Sequence, residues 1–141
     1  MEYNGCYVCG RDNPRGMKLT LVREEDGAVG ATFYADECYQ GWPGIVHGGV
    51  ISSLLDEATA YVTLHLGLMC VTAEMNVSFL RPLRVGETVR VRAHAVRAAR
   101  RLVEVASSIV DADGAVKARA HAKMWVLTDQ QKGEFGMNGA V

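Results

Sequence analysis

Between Gly48 and Leu66 the apolar residues fall at Val50, Ile51, Leu54, Leu55, Ala58, Tyr61, Val62 and Leu66, the three-and-four spacing of one helix face. The positions between them are mild rather than charged: Ser52, Ser53, Thr59, Ala60 and Thr63. That predicts a mostly buried helix rather than a surface one. Gly67 supplies a stop. On both sides of this stretch the period shortens to two. Met17 to Arg23 sets Met17, Leu19 and Leu21 against Lys18 and Thr20, and Ala28 to Tyr34 reads as its return strand after the Glu25-Asp26-Gly27 turn. Cys70 to Leu80 alternates, with Val71, Ala73, Met75, Val77 and Phe79 opposite Thr72, Glu74, Asn76 and Ser78. Further strands are expected over Thr88 to Val96, Leu102 to Val110 and Val116 to Leu127, with Asp113-Gly114 as a second hairpin turn.

The expected order is β–β–α–β–β–β–β, with four consecutive antiparallel strands after one long helix. An α+β arrangement meets this pattern: a curved antiparallel sheet wrapped around the helix, one face covered. Residues 1–16 carry turn residues and read as irregular, 17–127 as the folded domain, and 128–141 as a polar, glycine-rich tail that frays.

Composition narrows the partners. A hydrophobic fraction of 49% supports a packed core, and a formal charge of −1 argues against nucleic acid as a partner. No apolar run approaches the ~18–20 residues that span a bilayer, so no membrane is expected. The first residues show neither the basic nor the apolar region of a secretory signal, and the cytoplasm is the expected location. The four cysteines then need no disulfides. Cys6 and Cys9 form one Cys-x-x-Cys; a structural zinc site needs four ligands and no second pair follows, so no metal and no cofactor are expected.

The chemistry concentrates at the helix start, His47-Gly48-Gly49, and at Asp56 about two turns on. A helix N-terminus offers free N–H groups and partial positive charge, and glycine lets a ligand carbonyl approach them. A polarising N–H with a carboxylate in reach is a minimal kit for acyl hydrolysis. The same glycines would also serve close packing of helix on sheet. A buried carboxylate is costly unless paired, so Asp56 could equally face a polar partner at a subunit boundary. Glu57 is about 100° further round the helix and is read as exposed or structural. His47 reads either as a base or as a loop-orienting hydrogen-bonder. Arg81, at a strand end beside Pro82, suits phosphate oxygens or plain solvent.

These residues resemble the hotdog-fold thioesterases, nearest the PaaI-type acyl-CoA thioesterases. The resemblance rests on His-Gly-Gly-Val-Ile-Ser-Ser-Leu-Leu-Asp-Glu-Ala from His47, on Gly41-Trp42-Pro43-Gly44-Ile45-Val46, on Glu74-Met75-Asn76-Val77-Ser78-Phe79-Leu80-Arg81-Pro82 and on Cys6-Tyr7-Val8-Cys9-Gly10. It implies the hotdog fold and hydrolysis of a small or medium acyl- or aryl-CoA to free acid and coenzyme A, the latter entering only as part of the substrate. It implies Asp56 as catalytic carboxylate, Gly48 as the N–H donor to the thioester carbonyl and Thr72 as the hydroxyl that positions water, with His47 beside them. Gln40 is the nearest loop amide to the one some members carry. Gly49, Trp42, Tyr61, Phe79 and Arg81 are the expected substrate contacts. A homodimer or homotetramer with the site between subunits is implied too. The rival expectation is a non-catalytic acyl-CoA binding protein on the same scaffold.

Overall fold

The structure, a computed structural model, describes residues 4–137. Its elements are β1 (Val22–Arg23), β2 (Val29–Tyr34), α1 (Gly48–His65), β3 (Cys70–Phe79), β4 (Thr88–Ala98), β5 (Leu102–Val110), β6 (Val116–Val126) and α2 (Asp129–Glu134). Six strands make one sheet in the order β1-β2-β4-β5-β6-β3, each neighbouring pair antiparallel. It is the helix-wrapping antiparallel sheet that the hydrophobic pattern predicts.

The 18-residue α1 lies on one face of this sheet. Leu54, Leu55 and Ala58 are fully buried in a core shared with Val91, Val103, Val105 and Met124. Burying one such leucine stabilises by about 1.5–3 kcal/mol. The inward positions of β6 are mostly alanine, Ala118, Ala120 and Ala122. Small side chains there leave room for the helix to lie close to the sheet. Gly67 takes φ 74° just past the helix end, a conformation glycine adopts without strain.

Four expectations change. The strand expected over Met17–Arg23 shortens to Val22–Arg23. Met17, Leu19 and Leu21 still point inward, but Lys18 sits at φ 59° and breaks the extended chain. The backbone of Met17 and Leu19 bonds instead to the Tyr7 and Val8 carbonyls. The four strands after the helix are not a run of hairpins either: β3 pairs with β6, and residues 80–87 carry the chain across to β4 beside β2. Buried Lys117 holds that crossing, donating to the Pro82 carbonyl at 3.2 Å and to Glu87 at 3.0 Å. The tail expected to fray begins with the short helix α2, closed by a capping box between Thr128 and Gln131. Residues 138–141 of that tail, and residues 1–3, lie outside the described residues.

The fourth change concerns β3. Its pairing with β6 shifts register between Thr72 and Glu74, a bulge at Ala73. Thr72 opposes Met124, while Met75, Val77 and Phe79 oppose Ala122, Ala120 and Ala118. All four partners are buried, so Thr72 shares the helix-facing side with Met75 and Val77. Strict alternation had placed it on the other face. One extra residue exchanges the two faces of a strand, and bulges re-aim side chains in this way.

Candidate active site

The start of α1 is built by three consecutive residues. His47 is the N-cap, extended at φ −62° and ψ 135°, and its Nδ1 accepts the Gly49 N–H at 2.8 Å. Its carbonyl accepts from Val50 and Ile51. The Gly48 N–H is left without a partner among the described residues. A Cβ on Gly49 would stand 3.0 Å from His47 Nδ1, so the bare glycine is what lets the ring fold over the helix end. The expected substrate role of Gly49 changes accordingly, because its N–H is already spent on the cap. With Nδ1 accepting, the ring's N–H is on Nε2.

The ring of Phe79 lies beside Gly48, 3.4 Å from where a Cβ would be. Gly48, Phe79, Trp42, Arg81 and Ile45 line a cavity of about 350 Å³. A second cavity, about 450 Å³, shares Trp42 and Gly48 with it and is also lined by Gly41 and His47. Trp42 is 82% exposed, an unusual position for a large aromatic ring that nothing among the described residues covers. Gln40 does not reach this cavity as a free amide: its Oε1 accepts the Gly44 N–H at 3.1 Å and closes its own loop.

Asp56 lies eight residues along the helix from Gly48, about 12 Å at 1.5 Å per residue. The Thr72 hydroxyl donates to its Oδ1 at 2.6 Å. The bulge at Ala73 is what turns Thr72 toward the helix for this contact. Thr72 was expected to hold a water; here it holds the carboxylate itself.

Glu57 is neither exposed nor idle. It is half-buried, and the Cys6 thiol stands 3.5 Å from both of its oxygens. With Cys9, Tyr61 and His65 it lines a separate cavity of about 420 Å³. Burial, reinforced by Glu57, pushes the Cys9 thiol up to about 12, and burial likewise raises the Tyr61 hydroxyl. Tyr61 thus lines a different cavity from Trp42, Phe79 and Arg81. Thirteen positions beyond Gly48, it is turned about 220° round the helix from it. The pairing of Glu57 with the two thiols escaped sequence reasoning; the only signal was the unexplained Cys-x-x-Cys-Gly.

The geometry can be set beside known proteins. The sequence model of the thioesterase superfamily matches residues 43–118, a span that holds His47, Gly48, Asp56 and Thr72. Acyl-coenzyme A thioesterase 13 of Homo sapiens is 28% identical over 82 residues, 57% of this chain. The match spans 59% of that protein's length. A Streptococcus mutans protein solved with bound acetyl CoA superposes with a TM-score of 0.73 at 24% identity, covering 77% of this chain and 88% of the other. The PaaI protein of Escherichia coli, from the phenylacetic acid degradation operon, superposes at 0.74 with 22% identity, covering 79% and 81%. These two structural likenesses show the fold. No helix among the described residues is long and apolar enough to cross a membrane.

Proposed function

This chain belongs to the thioesterase superfamily, and from that premise we propose that it hydrolyses the thioester of a small or medium acyl- or aryl-CoA. The observation that carries the reading is the pair of half-sites on α1: an unpartnered N–H at Gly48 and a hydroxyl-held carboxylate at Asp56. They are about 12 Å apart along the helix, too far for both to serve one carbonyl within one chain. The outer edge of β3 has no neighbour in the sheet, and Val71, Phe79 and Leu80 are exposed on or beside it. An open edge of this length invites a second copy. Two chains joined edge to edge through β3 would bring Gly48 of one toward Asp56 of the other, so the reading includes a homodimer.

In that site the thioester carbonyl oxygen accepts the Gly48 N–H, assisted by the positive end of α1. Asp56, oriented by Thr72 through Oδ1, takes a proton from water with its second oxygen. The water oxygen bonds to the carbonyl carbon, the C–S bond breaks, and the proton passes to the departing coenzyme A sulfur. Trp42 and Phe79 bound the acyl slot, and Arg81 at its rim suits the coenzyme's phosphates. His47 acts on this step by capping the helix. Four free cysteines fit a reducing compartment such as the cytoplasm.

The test is release of free thiol from acyl-CoAs running from short aliphatic to phenylacetyl and benzoyl, with Asp56→Ala in parallel. Hydrolysis that falls about 10²-fold or more in the variant supports the reading. Binding of these esters without thiol release would make the chain a carrier of acyl-CoA instead. Single turnover in heavy-oxygen water distinguishes base from nucleophile: label in the Asp56 carboxylate would make Asp56 the attacking group. Light scattering that finds only a monomer would remove the shared site.

A further inference from the structure

The segment Cys6-Tyr7-Val8-Cys9-Gly10 has no part in thioester hydrolysis, yet it is a built object. The Gly10 N–H donates to the Cys6 carbonyl at 3.0 Å and closes the turn. A Cβ on Gly10 would stand 2.4 Å from the Asn4 carbonyl oxygen and from the Cys6 nitrogen, so only glycine fits. The Val8 N–H points at the Cys6 sulfur, 3.3 Å away. The turn presents both thiols to α1, where Glu57 meets them. Sulfurs of Cys6 and Cys9 and a carboxylate oxygen of Glu57 all lie within 4.8 Å of one another.

We propose that Cys6, Cys9 and Glu57 bind one divalent transition-metal ion, with Zn²⁺ as the fitting ion. Two thiolates and a carboxylate are a donor set that zinc takes in tetrahedral geometry. Tetrahedral legs of about 2.3 Å to sulfur and about 2.0 Å to oxygen give a sulfur–oxygen edge of about 3.5 Å. The Cys6–Glu57 separation is 3.5 Å. The fourth position faces the 420 Å³ cavity, which has room for a water, with His65 in its wall. Binding replaces the two thiol protons, which pass to solvent as the ion enters. The ion would fasten the strandless segment before β1 to the middle of α1, joining parts of the chain 51 positions apart.

The experiment uses the full chain, stripped with chelator under reductant and titrated with Zn²⁺ and, separately, Co²⁺. The expected result is one ion per chain, a higher melting temperature with Zn²⁺, and a sulfur-to-cobalt charge-transfer band with Co²⁺. Cys9→Ser and Glu57→Gln should each weaken binding about 10-fold or more, with far-ultraviolet dichroism reporting the fold. The Co²⁺ spectrum of the unaltered chain reads the thiolates even where a variant fails to fold. Absence of Zn²⁺ binding, a Co²⁺ spectrum without the sulfur band, folded variants that bind as tightly as the parent, or a Cys6–Cys9 disulfide that persists in the ion's presence would each overturn the proposal.

Discussion

Asp56 and Glu57 are consecutive acids in the middle of one helix, and the fold gives them different company. Asp56 turns toward the edge strand and takes a hydroxyl from Thr72 at 2.6 Å. Glu57, about 100° round, turns toward the segment before β1 and meets two thiols. The first neighbour orients a carboxylate while leaving one oxygen free, which suits proton transfer. The second surrounds a carboxylate with soft donors and suits an ion. Charge and burial are alike at the two positions; what differs most is the element that each faces.

Separate substitutions should break that pair apart. Asp56→Ala carries the largest effect, a kcat loss of about 10²–10⁴-fold in thiol release. Glu57→Gln should lose far less turnover and show itself instead in metal content. Equal losses of turnover would mean that the two acids share one site. Next comes Gly48→Pro. Proline is favoured at the first helical position, and His47 already has the extended backbone that a following proline requires. The change deletes one N–H while keeping the helix start, and kcat should fall about 10²–10³-fold. Thr72→Val should be milder, near 10-fold, since it removes one hydrogen bond to a charged acceptor. Thr72→Ser should restore most of the rate.

The smallest effect concerns stability toward low pH, which other carboxylates set. Hydrogen bonds from Arg92 and Arg90 hold the Glu24 carboxyl below its ordinary value, and the Ala115 N–H does the same for Asp111. In Glu87 burial pushes upward, but the Arg84 N–H and Lys117 outweigh it. The folded chain binds these protons more weakly than the unfolded one. Their contribution is therefore complete above the ordinary carboxylate value of about 4.3 and fades as pH falls through the depressed folded values. Arg92→Met should move the acid-unfolding midpoint to higher pH by a small amount, since the ion pair is exposed. An unchanged midpoint would contradict this assignment.

The local pattern made most of the fold legible. The 3.6-residue period over Val50–Leu66 and the two-residue period of the later strands locate α1 and β4 to β6 within a residue or two. The grouping at the helix start was legible for the same reason, because His47, Gly48 and Asp56 cap or lie on one element. What escaped was non-local. Pairing of β3 with β6 depends on a crossing fixed by Lys117, not on turn residues. The face of Thr72 depends on a bulge that leaves no mark in an alternating sequence. Tyr61 reads as one more apolar helix residue until its angle round α1 is known. Glu57 and Cys6 meet across 51 positions, and no spacing rule joins them.

The unpaired outer edge of β3 bears on how the protein behaves when dilute. On the two-chain reading, each site borrows one half from each protomer, so turnover per chain should fall away once the dimer dissociates. Inactivity also becomes complementable. Gly48→Pro chains retain a working Asp56, and Asp56→Ala chains retain a working N–H. Each population alone is strongly impaired, yet their mixture contains heterodimers with one intact site, and activity should rise on mixing the two.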